Sequence, residues 1–272
     1  MGHFYEEGNL NGATENLNGT GLPTMSDFLV VNNVTKRFGG LTANQNISFS
    51  IDRGQIIGLI GPNGAGKSTL FNCISCYYNA NGGSILYKGR DIARENPESV
   101  CRMGIGRTFQ IVRVFKEMTV LENIMIGAFL KNTALTAAEA KAREGAELFG
   151  LTGKLDVVSS SLTIAEQKRL EVARAYATEP ELLLLDEAMA GLNIQEVREA
   201  IGLVLKLRAS GLTLILVEHV MEGIMPIADK VVVLDYGEKI AEGLPNEVIN
   251  NDRVIQAYFG EKYNAKRRQS AA

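Results

Sequence analysis

Apolar positions along the chain follow two rhythms. Short apolar runs at 28–32, 47–51, 56–60 and 84–87, the last reached through an Asn81-Gly82-Gly83 turn, read as strands. Strand signals return at 182–185, 212–217 and 230–234, where they alternate with helix-spaced apolar positions at 194–208 and 221–227. Between the two sets, roughly 120–160 is rich in Ala, Glu, Lys and Leu with helical spacing, as in 136–148. The alternation predicts an α/β fold, a parallel sheet covered by helices, interrupted by a helical insert of about 40 to 50 residues. Residues 1–26 carry few apolar anchors among Gly, Asn, Glu and Thr and read as a disordered tail, in which His3 has no assigned role. No internal repeat is visible.

Composition narrows the classes. The 272 residues suit one large domain or a core with a small subdomain. A hydrophobic fraction of 46% and a net charge of −3 describe an ordinary soluble globular chain and give no support to a nucleic-acid-binding surface. The apolar runs are too short to span a bilayer, and the N-terminus lacks a charged-then-apolar leader, which points away from secretion. Cys73, Cys76 and Cys101 fit a reducing compartment. Cys73 and Cys76 have metal-pair spacing, but they fall on the helix expected after residue 67, and no second pair completes a zinc site; packing is the expected role.

The chemistry begins at Gly61-Pro62-Asn63-Gly64-Ala65-Gly66-Lys67-Ser68-Thr69, which fits G-x-x-x-x-G-K-[ST]. Glycines let such a loop wrap a polyphosphate with its N–H groups turned inward. Lys67 supplies a charge for the β- and γ-phosphates, and the Ser68 hydroxyl suits Mg²⁺. The buried strand expected before the loop and the helix expected from Lys67 to Ser75 put a helix N-terminus against the phosphates. Its counterpart is Leu182-Leu183-Leu184-Leu185-Asp186-Glu187, a buried strand with two carboxylates at the C-terminal end, where open α/β sheets bind ligands. Asp186 is expected in the Mg²⁺ shell, which leaves Glu187 free to orient or deprotonate an attacking water.

With the intervening segment, these motifs resemble the ATP-binding cassette family over about 28–260. Leu162-Thr163-Ile164-Ala165-Glu166-Gln167-Lys168-Arg169 is similar to its LSGGQ signature. Gly39-Gly40, Gln110, Ala190-Gly191-Leu192-Asn193 and His219 fall where the family has its other motifs. The resemblance implies a RecA-like P-loop NTPase core with an N-terminal antiparallel β subdomain and a helical insert. The implied bounds are one domain over 27–262, the insert at about 111–175, and a basic tail over 263–272. It also implies roles: Phe38 stacking on adenine with Ala43 nearby, Gln110 linking Mg²⁺ and water to a membrane subunit, and His219 contacting the γ-phosphate. Thr163, Ala165 and Glu166 belong to the segment that caps the nucleotide of a second subunit.

Phrases such as Lys36-Arg37-Phe38-Gly39-Gly40-Leu41, Arg107-Thr108-Phe109-Gln110 and Asp235-Tyr236-Gly237-Glu238 most resemble the ATP-binding subunits of branched-chain amino acid importers. That likeness implies ATP and Mg²⁺, a second ATPase subunit (homo- or heterodimer), transmembrane permease subunits and, indirectly, a periplasmic or extracellular solute-binding protein. The implied location is the cytoplasmic face of the membrane. A urea or amide importer, a lipopolysaccharide-export type ATPase and a nucleotide-dependent binding module stay open as alternatives. Thr163 stands for the signature serine and keeps a hydroxyl, and Ile164 stands at the first of the two signature glycines, where related importers carry bulky residues. Two further positions depart from the pattern. Ala165 replaces a glycine, so its Cβ stands where the backbone should approach phosphate, and Ala188 replaces the usual proline after Glu187. An active site with a slightly looser cap is the expected outcome, and the alternative is a heterodimer in which the site capped by Thr163-Ile164-Ala165 is weak.

Overall fold

The computed structural model describes residues 27–219 and 221–259; the tails read at 1–26 and 263–272 lie outside them. The chain opens with β1 (Asp27–Phe38), β2 (Leu41–Asp52) and β3 (Ile56–Ile60), then α1 (Lys67–Ile74), β4 (Gly82–Tyr87), β5 (Arg90–Asp91), α2 (Pro97–Met103) and β6 (Ile105–Arg107). Three helices follow: α3 (Val120–Ala128), α4 (Leu135–Leu148) and α5 (Ile164–Tyr176). The remainder is β7 (Leu182–Asp186), α6 (Ile194–Ala209), β8 (Thr213–Val217), α7 (Met221–Ile224), β9 (Lys230–Asp235), β10 (Glu238–Gly243), α8 (Pro245–Ile249) and α9 (Asp252–Phe259). The helix expected at 221–227 is therefore shorter than its apolar spacing suggested.

Two sheets result. β2, β1, β4 and β5 form an antiparallel sheet in that order, and β10, β9, β3, β8, β7 and β6 form a second, parallel except for the β9–β10 hairpin. The central strands are buried along their whole length because both faces are covered. Period-two alternation splits their side chains between two cores. Ile57, Leu59, Leu182, Leu184, Ile215 and Val217 pack with α1 and the antiparallel sheet. Ile56, Ile60, Leu183, Leu185, Leu214 and Leu216 join the core shared by α3–α6.

α3, α4 and α5 leave the sheet between β6 and β7, two neighbouring strands. Ala138, Ala142 and Ala146 recur every fourth residue on α4 and are fully buried, so small side chains set its close packing. Gly127 on α3 goes further: a Cβ there would lie 2.1 Å from the Arg174 carbonyl oxygen of α5. Cys73 lies on α1, whereas Cys76 falls beyond its end at φ +54, so the pair does not share a helix as its spacing suggested. Both are buried, and burial pushes their thiols up to about 11 and about 12, as packing residues require.

Candidate active site

β3, β8, β7 and β6 are parallel neighbours, so their C-terminal ends share one sheet edge. That edge delivers the 61–66 loop, Glu218-His219, Asp186-Glu187 and Thr108-Phe109-Gln110 to one place. Gly66 sits at φ +96, and a Cβ would lie 2.4 Å from the Ala43 carbonyl oxygen. Buried Asn44 donates to the Gly66 carbonyl at 3.0 Å, which pins the loop to β2. The Lys67 ammonium donates to the Gly61 and Pro62 carbonyls at 2.7 and 2.9 Å, so it lies inside the loop's curve. Burial lowers its pKa, opposed by the nearby Glu187 and Asp186 carboxylates.

A cleft of about 460 Å³ opens over the loop, lined by Phe38, Ala43, Asn63 through Thr69, Gln110 and Glu187. Its size suits a small-molecule ligand. Gly61 and Pro62 are not on its wall; Pro62 faces an adjoining hollow with Asp235 and Arg253. Phe38 is 41% exposed at the cleft, edge-on to Tyr78 at 5.2 Å and with the Lys36 ammonium 4.9 Å from its centroid. It is a presented ring, not a core aromatic.

Asp186 lies behind the cleft, buried, in a small hollow it shares with Gln110 and Glu187. Its Oδ1 has no hydrogen-bond partner, and burial pushes its carboxyl up to about 6 despite the neighbouring Arg107. A buried carboxylate oxygen without a donor is chemically incomplete, and a divalent cation would complete it. With Ser68 and Gln110 on the cleft wall, the side chains available to a cation offer oxygen donors, a set that fits Mg²⁺. Glu187 adopts φ +49 and lines the cleft. His219 stands two residues past β8, half exposed, with Nδ1 3.9 Å from Glu187 Oε1.

The family profile of ABC transporters matches residues 44–190, more than half of the chain. The chain belongs to the ABC transporter family. A second profile, described as branched-chain amino acid ATP-binding cassette transporter, matches residues 238–264 of this cassette. The high-affinity branched-chain amino acid transport ATP-binding protein LivG of Salmonella typhimurium is 41% identical over 250 residues, covering 86% of this chain and 98% of that protein. BraF of Pseudomonas aeruginosa, described by the same activity, is 38% identical with the same coverage. Among solved structures, a nucleotide-free ATP-binding cassette from an ABC transporter superposes with a TM-score of 0.79 at 30% identity, covering 86% of this chain and all of that one. The ADP conformation of MJ1267, another ABC transporter cassette, gives 0.79 at 31%, covering 86% and 99%.

The cassette does not bring its signature segment to its own phosphate loop. Thr163 caps α5: its hydroxyl accepts from the Glu166 N–H at 3.3 Å, and the Glu166 carboxylate accepts from the Thr163 N–H at 3.0 Å. Lys154 also pairs with Glu166, and that hydrogen bond with the cap holds its carboxyl at about 2. Thr163 and Ala165 line a separate cavity of about 270 Å³ between α5 and α6. Thr163 and Ile164 are exposed, while Ala165 is half-buried.

Several residues at the site carry no sequence signal of their own. Tyr236 and Gly237, in the β9–β10 turn, line the cleft, although in the sequence 235–238 carries only a family likeness and no place at the site. Lys168 and Glu218 flank the Glu187 turn from two other elements, a proximity that no local pattern reveals. Asn44 precedes the apolar run at 47–51, and only the longer β2 of the structure includes it.

Proposed function

We propose that this cassette is the ATP-hydrolysing subunit of an importer for branched-chain amino acids or a similar small polar solute. The observation that carries the reading is the extent of its likeness to LivG, 98% of whose length it covers, together with the separate branched-chain match at 238–264. Phe38 and Ala43 hold the adenine, the 61–69 loop with Lys67 and Thr69 holds the phosphates, and Ser68, Gln110 and Asp186 are the Mg²⁺ ligands. Bound Mg²⁺ supplies charge neutralisation at the phosphate oxygens. Glu187 orients a water for in-line attack and takes its proton as the new P–O bond forms and the bond to the ADP oxygen breaks. His219, beside Glu187, donates to the γ-phosphate as charge develops there.

Thr163, Ala165 and Glu166 do not line the cleft over the chain's own loop, which fits a cap offered to the nucleotide of a second ATPase subunit from a helix N-terminus. Two nucleotides are then sandwiched between two subunits, and closure, hydrolysis and reopening drive permease subunits fed by a solute-binding protein. No helix among the described residues is long and apolar enough to cross a membrane. Attachment at the inner face, on this reading, runs through the permease. The Gln110–Glu117 stretch, which presents Ile111 and Phe115, is the proposed seat for a permease helix.

The test is uptake of labelled solutes by proteoliposomes holding the whole complex. ATP-dependent entry of leucine, isoleucine or valine supports the reading. Uptake of urea or short amides alone, or no ATP-dependent uptake, overturns the solute assignment.

A further inference from the structure

The turn that carries Glu187 is gripped from two sides by charged groups of other elements. Lys168, the fifth residue of α5, is half-buried, and its ammonium donates to the carbonyls of Glu187 at 2.9 Å and Ala190 at 2.6 Å. The Ala188 carbonyl lies 3.4 Å from the same nitrogen. From the opposite side, buried Glu218 accepts from the Met189 N–H at 2.7 Å, and Glu218 directly precedes His219. Each of the four residues 187–190 therefore has a peptide group held by one of these two charged side chains. Glu187 itself sits at φ +49, a left-handed conformation that a side-chain-bearing residue keeps only when its surroundings impose it.

We infer that Lys168 is a positioning residue for hydrolysis, fixing the Glu187 turn and tying it to the helix whose N-terminus is the proposed cap. This rests on the reading of Glu187 as the group that handles water and of Thr163–Glu166 as the cap for a partner's nucleotide. An ammonium has three N–H bonds, and the three carbonyls of this turn use that capacity. α5 is a continuous helix from its Thr163 cap through Lys168, so a shift of its N-terminus on meeting the partner's nucleotide moves the ammonium as well. The carbonyls follow, and with them the Glu187 carboxylate. Closure of one composite site is thereby felt in the other through a single side chain. Lys168 does not line the nucleotide cleft, so this effect is on turnover and not on ATP binding.

The test compares Lys168→Met, Lys168→Arg and Glu187→Gln in the whole reconstituted transporter, with kcat, KM, Hill coefficient for ATP and nucleotide Kd measured for each. Lys168→Met keeps the aliphatic stem but removes every donor. Its kcat is expected to fall on the order of 10- to 100-fold, the cost of a small misplacement of a reacting group, with Kd within twofold and the Hill coefficient near one. Lys168→Arg, which keeps a cation with N–H donors, should recover kcat to within about fivefold. If the Met variant is not recovered folded, Lys168→Leu also removes every donor and is read by the same criteria. A kcat within twofold of the parent overturns the inference, as does a kcat loss matched by Kd or left unrescued by Arg. If Glu187→Gln keeps full turnover, the underlying reading of Glu187 fails instead; if that variant is inactive while Lys168→Met is normal, only the positioning role fails.

Discussion

Asp186 and Glu218 hold their carboxyl groups high in the folded chain, at about 6 and about 7, because both are buried. Between about pH 4 and 7 the folded chain retains protons that the unfolded chain has released, so stability falls as pH rises through that window. Glu166, held at about 2 chiefly by Lys154, acts in the opposite sense and below it. Without nucleotide or divalent cation, the Tm of the cassette should therefore drop as pH climbs from about 4.5 to 7, and Asp186→Asn should flatten the slope. That variant should also be more stable at pH 7, by on the order of 1 kcal/mol, while losing Mg²⁺-dependent turnover. A Tm slope unchanged in Asp186→Asn would show that its carboxylate is not under strain. Gly66 provides a steric test at the same scale. Its φ of +96 and the 2.4 Å approach of Ala43 O leave no space for a methyl group, so Gly66→Ala should weaken ATP binding at least tenfold in a calorimetric titration.

Among the elements, what could be read in advance follows burial. β7 and β8 are buried on both faces, so Leu182–Leu185 is a continuous apolar run and Leu212–Val217 is broken only by Thr213, and both announce themselves. β6 is three residues at a sheet edge, Ile105-Gly106-Arg107, and β10 is a polar edge strand, so neither has a legible pattern. The site divides the same way. The phosphate loop and the Asp186-Glu187 strand end are local strings, whereas the Lys168 and Glu218 grip on the 187–190 turn exists only once three elements converge. The α3–α5 contact was equally hidden, since a glycine within a helix gives no hint that a carbonyl lies against it. Gly127→Val should force those helices apart and lower stability by about 2–4 kcal/mol, seen as a drop in Tm with reduced helicity. An unchanged Tm would mean that the helices separate freely.

At the scale of the molecule, one sheet edge gathers the 61–66 loop, Asp186-Glu187, Gln110 and His219, the groups proposed for hydrolysis, while Thr163 and Ala165 line a different cavity. On the proposed reading a monomer is half of two sites, and cleavage should depend on cassette concentration as well as on ATP. The most direct measurement is phosphate release from ATP and Mg²⁺ by the purified cassette at high concentration, alongside Glu187→Gln. The wild-type chain should turn over at least about 100-fold faster than the variant, with a rate per subunit that rises with concentration. Equal rates in the two proteins would contradict the assignment of Glu187, and with it the reading of this cassette as the engine of an importer.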